Sequence, residues 1–508
     1  MLRTLVLLAL LDLGGCSGPR ALEREVTGQP LVTACLESYR LIDDAVTNAG
    51  VRDVEAHRVP GFPYLRVNRF LASFSEQDLS PARLEAWVDR LVRLDREGRT
   101  VELKNLPDGW RARLDDAIAA VLGAGWRAPD VVERCPPILR QHDLGRTDRQ
   151  EALLARVEVP EDYSLIERAL GLYPLTAIPV AMAWQRWEAK HLLPFRTPTA
   201  ELDFEGAPVL YLPEIESAAA SAEEVTAILE RSRDTALGIS EPEGEDLKSL
   251  AASFAPAYLV DTVSPADRIG HPVWLEERIP GVDTTHPVAF VRTEQAWFDG
   301  GPVLQLVYTI WFPARPPDSP LDILGGRLDG LIWRVSLTPD GTPLIYDSIH
   351  PCGCYHLFFP APGVARKRLP QDRPEDIRET ATVPQPAPPV GSGARLVLRL
   401  AAGSHYLSGL TLLPEGARGR REMSYSLVID EGPPDLALRS MPLPGGGRRS
   451  LYAQDAIVPG AEQAERYILW PMGIASAGAM RQWGNHATAF VGRRHFDDPS
   501  ILDRAFGR

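Results

Sequence analysis

Leu304-Gln305-Leu306-Val307-Tyr308-Thr309-Ile310-Trp311 is the stretch that decides the fold class of this 508-residue chain. Apolar residues occupy every second position, a period typical of a β-strand with one buried face. Segments rich in Val, Ile, Tyr and Trp surround it at 288–291, 330–337 and 343–349. From about residue 255 onward, the chain is therefore predicted to be β-rich.

A tight turn joins two of these segments. Thr338-Pro339-Asp340-Gly341 has the composition of a type I turn followed by a glycine in the left-handed region. The turn predicts that residues 332–349 form a β-hairpin. Strand patterns resume at 395–400 and 425–429, so residues 394–508 are predicted to complete the β-rich domain.

A histidine and cysteine motif follows the hairpin directly. Two of the ten histidines and two of the five cysteines lie within seven residues, His350-Pro351-Cys352-Gly353-Cys354-Tyr355-His356. Imidazole and thiolate groups bind transition metals, and the end of a strand is a position from which side chains can reach a ligand. We refer to residues 350–356 as the His/Cys motif, and it is the leading candidate for a functional site.

The first interpretation of the His/Cys motif is a site for zinc, copper or iron. His350 and His356 would be about 20 Å apart in a regular strand, so Pro351 and Gly353 would have to bend the chain. The predicted ligands are His350, Cys352, Cys354 and His356, with His405 and either His486 or His495 as candidates to complete the shell.

Two other interpretations of the His/Cys motif stay open. Cys352 and Cys354 could form a disulfide across Gly353, which an oxidising compartment would favour and which requires a bent backbone. Alternatively, the histidines and cysteines are simply buried, because free cysteine is among the most buried residue types.

Carboxylates near the motif are candidates for acid–base chemistry. Asp347 lies three residues before His350, close enough in sequence to orient an imidazole, and Asp329 precedes the hairpin. Both are predicted to be catalytic only if the protein is an enzyme. The sequence contains no Gly-x-Ser-x-Gly elbow, P-loop or dinucleotide fingerprint, so no nucleotide cofactor is expected.

The first part of the chain has helical periodicity. Residues 31–150 are predicted to form a helical domain, with helices over 31–48, from Ser80-Pro81 to a stop at Gly98, and over 111–122 closing on Gly123. Residues 151–246 are predicted to be a mixed, mainly helical connector domain that ends at an acidic stretch, and residues 362–393 a linker rich in proline and glycine.

The N-terminal residues have the order of an export signal. Arg3 precedes an apolar run from Leu5 to Leu13, and the run ends in Leu13-Gly14-Gly15-Cys16. This ending resembles the lipobox of bacterial lipoproteins. The resemblance implies that residues 1–16 are a lipoprotein signal peptide with its cysteine, that Cys16 carries the lipid, and that Ser17 directs the protein to the outer membrane. An ordinary signal peptide, or a cytosolic protein with an apolar start, is the alternative.

If Cys16 is lipidated, four cysteines remain in an oxidising compartment and three pairings are possible. Cys35 and Cys135 bracket the predicted helical domain, whereas Cys352 and Cys354 lie together about 200 residues later. We therefore predict a disulfide between Cys35 and Cys135, worth about 4 to 5 kcal/mol in the chain-entropy treatment of a loop of about 100 residues.

Part of the β-rich segment resembles the domain family named after vacuolar protein sorting protein sixty-two. The similarity lies in Phe254-Ala255-Pro256-Ala257-Tyr258, in the strand Tyr308-Thr309-Ile310-Trp311-Phe312-Pro313, and in Asp329-Gly330-Leu331-Ile332-Trp333. It covers about a fifth of the chain and implies a β-sandwich-like body.

The sequence as a whole predicts an α+β protein, with a helical N-terminal domain followed by a β-rich, sandwich-like C-terminal domain. A net charge of −14 argues against electrostatic binding of nucleic acid, or of an anionic membrane surface, as the main activity. The expected function is that of a lipid-anchored cell-envelope protein, on the periplasmic face of the outer membrane, that binds an envelope ligand or a transition metal through the His/Cys motif. A metal-dependent envelope enzyme and a scaffold lipoprotein are the alternatives, and the membrane is the expected partner through the anchor.

Overall fold

The computed structural model describes residues 30–197, 203–214, 220–320, 322–367, 379–390, 394–413, 421–429 and 432–508. The predicted signal peptide and Cys16 lie outside these residues, as does part of the predicted linker. None of the helices in the described ranges combines the length and the apolar content that a bilayer-crossing segment needs.

The helices are concentrated in the first half of the chain. In chain order they are α1 (Pro30–Ala49), α2 (Arg69–Ala72), α3 (Pro81–Asn105), α4 (Asp108–Leu122), α5 (Ala128–Leu144), α6 (Thr147–Leu154), α7 (Leu165–Leu170), α8 (Tyr173–His191), α9 (Leu193–Arg196), α10 (Ala222–Arg231), α11 (Gly244–Phe254), α12 (Arg466–Leu469) and α13 (Ile501–Ala505).

The strands lie mainly in the second half. In chain order they are β1 (His57–Val59), β2 (Phe62–Val67), β3 (Val209–Pro213), β4 (Ala257–Val260), β5 (His271–Glu276), β6 (Ile279–Asp283), β7 (Val288–Phe298), β8 (Gly301–Arg315), β9 (Gly326–Leu337), β10 (Pro343–Ile349), β11 (Leu357–Pro360), β12 (Ala365–Arg366), β13 (Leu396–Leu400), β14 (Leu407–Leu412), β15 (Arg421–Ile429), β16 (Met441–Pro442), β17 (Arg448–Arg449) and β18 (Phe506–Gly507). The predicted α+β class is confirmed.

The N-terminal helices surround a buried hairpin. Helices α1, α3 and α5 pack around β1 and β2, and the sulfurs of Cys35 in α1 and Cys135 in α5 are 2.05 Å apart in a disulfide. This pairing is the one that the sequence analysis proposed. Helix α4 ends at Gly123, whose φ of 101° lies in the region that favours glycine.

Helix α3 continues past the predicted stop at Gly98. A side chain at this position would meet the guanidinium of Arg66, which is completely buried between Asp53, Asp95 and Glu102. Glycine is present here because it leaves room for a buried ion-pair network, and not because the helix ends.

One ten-stranded sheet forms the C-terminal body, in the order β11-β10-β9-β8-β7-β15-β3-β4-β13-β14. The first five strands are antiparallel neighbours, and β15 pairs in parallel with both β7 and β3. The predicted sandwich-like body is thus a single long sheet in the described residues, accompanied by short two-stranded sheets. The hairpin of β9 and β10 has the predicted turn, with φ 83° at Gly341.

Both faces of the central strands are covered, and so β9 is buried from Leu328 onward. One face packs against α10, α11 and the segment around Ala387, while the other packs against C-terminal residues that include Trp483 and Phe496. Burial on both faces explains why β9 lacks the alternation of polar and apolar residues found in strands with one solvent-exposed face.

Three segments differ in structure from what the sequence predicts. Strand β3 belongs to the predicted connector 151–246 but lies inside the ten-stranded sheet. Within the predicted linker 362–393, β12 pairs with β18, and Thr382 and Ala387 are buried. These two residues lie along β11, where Phe358 N–H donates to Thr382 O and Ala387 N–H donates to Pro360 O. Residues 432–508 contain only two-residue strands and short helices, so the end of the chain is largely irregular.

Candidate functional site

The register of the hairpin sorts the candidate side chains onto two faces of the sheet. Ser348 in β10 lies opposite Trp333 in β9, and Asp347 lies opposite Arg334. Because side chains alternate along a strand, Ser348 and the following His350 share the face of Trp333, while Asp347 points to the other face. Asp329 is four residues before Trp333 and shares its face, which brings it next to His350.

Two aspartates and two histidines alternate in a chain of contacts on this face. His350 Nδ1 is 3.0 Å from Asp329 Oδ1, and His405 Nδ1 is 2.8 Å from Asp329 Oδ2. The other nitrogen of the second ring, His405 Nε2, is 3.3 Å from Asp267 Oδ1. All four side chains are buried. We call Asp267, His405, Asp329 and His350 the Asp–His chain.

Contacts within the Asp–His chain shift the pKa values of Asp329, His405 and Asp267. Burial alone would raise the pKa of Asp329, but the charges and hydrogen bonds of His350 and His405 outweigh burial and hold this pKa well below its usual range. Burial alone would lower the pKa of His405, yet its two aspartate partners raise it. Despite burial, the bond to His405 and three backbone N–H groups lower the pKa of Asp267 to about 2.

His350 ends the Asp–His chain at a small cleft. Its Nδ1 is fixed by Asp329, whereas its Nε2 is buried and has no hydrogen-bond partner among the described residues. The cleft has a free volume of about 10 Å³, roughly that of one water molecule, and His350, Tyr355, Tyr406, Trp187 and His191 line it. A buried imidazole with one free nitrogen in a cleft is the arrangement expected of a group that receives or donates a proton.

A second chain of donors ends in the same cleft. Arg315 Nη1 donates to the hydroxyl of Tyr406 over 2.9 Å, and Tyr406 donates to the hydroxyl of Tyr355 over 2.8 Å. Tyr355 keeps its own O–H available, because no acceptor for it is found among the described residues. Burial and the neighbouring Tyr406 raise the pKa of Tyr355 well above its usual value despite the opposing charge of Arg315, so Tyr355 stays protonated and can donate its O–H to a ligand oxygen.

Helix α8 roofs the cleft with aromatic rings. Trp187 stacks on Tyr355 with 4.7 Å between ring centroids, and His191 meets Tyr406 edge to face at 4.9 Å. Tyr355 and His405 both have φ in the left-handed region, at 62° and 52°. This conformation is costly for residues other than glycine and is concentrated at functional sites.

The other half of the His/Cys motif faces away from the cleft. Arg334 Nε donates to both oxygens of Asp347 at 3.0 and 3.1 Å, and His356 Nε2 is 3.3 Å from Asp347 Oδ1. Burial lowers the pKa of His356 to about 4 despite the opposing charge of Asp347. The Nδ1 of His356 also lacks a partner among the described residues, but this ring packs against Phe358 and Phe496 and not in the cleft. A free ring nitrogen is therefore not sufficient evidence of a site.

Cys352 and Cys354 lie in the loop that connects the two faces. Both are buried free thiols in the structure, and Gly353 between them has φ 88°. The thiol of Cys352, followed by burial, raises the pKa of Cys354. Neither the disulfide nor the metal interpretation is tested by this arrangement.

The structure joins some predicted site residues and separates others. His350, His405 and Asp329 form one network, whereas Asp347 and His356 form another. His486 is hydrogen-bonded to the carbonyl of Pro351 at 3.0 Å, and His495 Nε2 lies 3.3 Å from Asp162. Burial lowers the pKa of His486 to about 3 and that of His495 to about 2.

Sequence reasoning missed Asp267, Arg315 and Trp187. Asp267 stands in Ser264-Pro265-Ala266-Asp267, a capping-box pattern that indicates a helical start and gives no sign of a partner near residue 405. Arg315 and Trp187 lie about 90 and 220 residues from Tyr406 in sequence, so no local pattern could connect them.

Comparisons with known proteins do not identify this site. No protein-family model matches the chain, and neither a curated protein nor a solved structure does. In the part of the chain that the structure describes, no group of three or more His, Cys, Asp and Glu side chains is arranged to hold a metal ion. The metal, the lipobox and the similarity to the sorting-protein domain family stay predictions.

Proposed function

We propose that this protein is a cell-envelope enzyme that transfers a proton to or from a small substrate carrying a carbonyl or hydroxyl oxygen, with His350 as the general acid–base. The observation that carries the proposal is the free Nε2 of His350, in a ring held by Asp329, beside the available hydroxyl of Tyr355. A base and an oxygen-binding donor in one cleft are the two groups that proton abstraction next to an oxygen requires.

Each residue has a role in this proposal. Asp329 orients the imidazole and stabilises its protonated form, and His405 with Asp267 keeps Asp329 ionised. Tyr355 donates to the substrate oxygen as negative charge develops, assisted by Tyr406 and Arg315.

Proton transfer is preferred to covalent catalysis because of the side chains near His350. Ser348 lines the same cleft, but its hydroxyl makes no hydrogen bond to His350 among the described contacts. A serine nucleophile would need such a bond to its base.

A phenol that ionises near neutral pH tests the site. The oxygen of 4-nitrophenolate mimics the charge that forms during proton abstraction, and its absorbance reports the ionised state. We expect saturable binding by the full chain, weakened about 10- to 100-fold by Tyr355→Phe, because one hydrogen bond to a charged oxygen is lost. His350→Gln should also weaken binding, because the imidazole that can share the proton of the phenol is lost.

The control for this experiment is His356→Asn, which alters the other histidine of the motif on the opposite face. It should bind 4-nitrophenolate as the unchanged chain does. Equal binding by all four proteins, or no binding by the unchanged chain, would overturn the proposal.

The envelope location is a separate part of the proposal and is supported by residues 1–16 alone. We propose that Cys16 is lipidated and anchors the protein to the periplasmic face of the outer membrane. The mass of the mature N-terminal peptide, isolated from the membrane fraction, should contain Cys16 with its acyl groups, and Cys16→Ser should remove them. An unmodified peptide that begins after Cys16 would contradict the anchor.

A further inference from the structure

An extensive apolar surface surrounds helix α8, which covers the cleft. Of the fifteen exposed large apolar side chains in the described residues, eleven lie within 165–193 and 467–470. These residues belong to α7, α8, α12 and the chain next to them, and all three helices pack against the turn Trp470–Met472. We call these eleven side chains the apolar surface. Large contiguous patches of this kind mark sites of association with a protein or a membrane.

Helix α8 carries the central stripe of the apolar surface. Leu175, Ile178 and Met182 follow one face at spacings of three and four residues, and they are 66%, 54% and 50% exposed. Only Ala177 is buried among the residues of α8. The helix therefore presents its apolar stripe outward and is held to the body by few buried side chains.

The charge pattern of this segment fits an anionic or zwitterionic lipid surface. Residues 168–187 contain no acidic residue, although the half-buried Glu167 and Glu188 flank them, and the exposed charge in this stretch is the cation Arg186. Tyr467 and Trp470, which are 70% and 40% exposed, are of the residue types enriched where protein meets the headgroup region.

The chain before the described residues can reach a membrane. Cys16 precedes the start of α1 at Pro30 by 14 residues, which span at most about 50 Å when extended. An apolar or lipidated N-terminus inserted in a bilayer would thus keep the folded body within one protein diameter of it.

We infer that the apolar surface docks onto a phospholipid bilayer, with α8 lying along the membrane plane and its stripe of Leu175, Ile178 and Met182 in the headgroup and acyl boundary. A helix with one apolar face, a few basic residues and too few apolar residues to span is suited to this position.

Docking has a consequence for the cleft that rests on the proposed function. Trp187 and His191 belong to α8, and their rings cover His350 and the two tyrosines. A docked α8 would bring the mouth of the cleft to the bilayer, and the substrate would then be an amphiphile that enters from the lipid.

Hydrogen exchange of the full chain, with and without vesicles of phosphatidylethanolamine and phosphatidylglycerol, tests docking locally and independently of any anchor. Amides within 165–192 should exchange at least about tenfold more slowly with vesicles. Amides of α4, an exposed helix of the N-terminal domain, should be unaffected. The triple variant Leu175→Ser, Ile178→Ser, Met182→Ser should lose the vesicle-dependent protection.

Leu275→Ser is the matched control, since Leu275 is 60% exposed but lies on β5, away from the three helices. It should keep the protection of 165–192. Unchanged exchange of 165–192 while the protein is bound to vesicles would overturn the inference. Protection that follows protein concentration without vesicles would overturn it too, in favour of a second copy of the chain. Neither result bears on 4-nitrophenolate binding, so the two proposals fail separately.

Discussion

The hairpin of β9 and β10 carries one buried carboxylate on each face, and the two are balanced in different ways. Asp347 contacts the permanent cation Arg334 and the histidine His356, in surroundings closed by Phe496. Asp329 contacts two histidines and, among the residues that the structure describes, no arginine, and one of these histidines lines a cleft. An arginine partner stabilises a charge at all ordinary pH values, whereas histidine partners make the charge depend on proton binding. The charge on the first face is therefore fixed, whereas the charge on the second can change with proton binding, as the proposed acid–base role of His350 requires.

Removing the arginine should have the largest effect. Arg334→Met leaves Asp347 buried beside a histidine whose pKa is about 4, so we expect a loss of about 3 to 5 kcal/mol in the free energy of unfolding. Urea denaturation measures it. The double variant Arg334→Met, Asp347→Leu should recover most of the loss, because no unpaired charge remains. A single variant as stable as the unchanged chain would break the comparison.

The two faces should respond to pH with opposite sign. The pKa of His356 falls from 6.5 to about 4 on folding, so the unfolded chain binds more protons between these values, and stability rises by up to about 3 kcal/mol as pH increases through this window. The pKa of His405 is raised on folding, so its contribution is complete below pH 6.5 and is lost as pH rises through the folded-state pKa.

Urea denaturation of His356→Asn and His405→Asn across this range separates the two terms. Compared with the unchanged chain, the first variant should show a rise below pH 6.5 that is smaller by about 3 kcal/mol, and the second a smaller decline above it. His486 and His495, whose pKa values burial also lowers, contribute equally to both variants. Parallel pH profiles of stability for both variants would contradict the difference between the two faces.

Asp329→Asn should have an intermediate effect. The amide has one acceptor oxygen for two ring nitrogens, so one buried histidine loses its acceptor, at a cost of about 1 to 3 kcal/mol. Labelled-histidine NMR should also record a lower pKa for His405, because the carboxylate that raises it is gone. A His405 pKa unchanged from that of the original chain would contradict the assigned network.

The loop between the faces gives the smallest and most selective perturbation. Gly353 and Gly363 have nearly equal φ, 88° and 90°, but a Cβ at Gly353 would lie 2.5 Å from the carbonyl oxygen of Ala487, whereas a Cβ at Gly363 meets nothing. Both alanine variants share the strain of a positive φ. Gly353→Ala should therefore be less stable by about 1 kcal/mol than Gly363→Ala in urea denaturation. Equal losses of stability in the two variants would mean that the loop around Gly353 moves to accommodate the added methyl group without cost.

Local patterns in the sequence were enough for much of the architecture. The α+β class follows from two hydrophobic periods, and the hairpin follows from Thr338-Pro339-Asp340-Gly341, because turn chemistry acts over four residues. Gly98 shows where such reasoning fails. A glycine that normally indicates a helix end is here required by Arg66, which lies 32 residues away in sequence.

The candidate site also combines features that the sequence predicts with features that only the fold determines. Composition alone singled out His350, His356, the two cysteines and the nearby aspartates, since these residue types are rare and chemically capable. Which of them act together was decided by the tertiary structure, because strand alternation sends Asp347 and His350 to opposite faces and only long-range packing brings Asp267, His405 and Arg315 to one of them. Residue identity determines what chemistry is available, and the fold determines which groups are close enough to perform it.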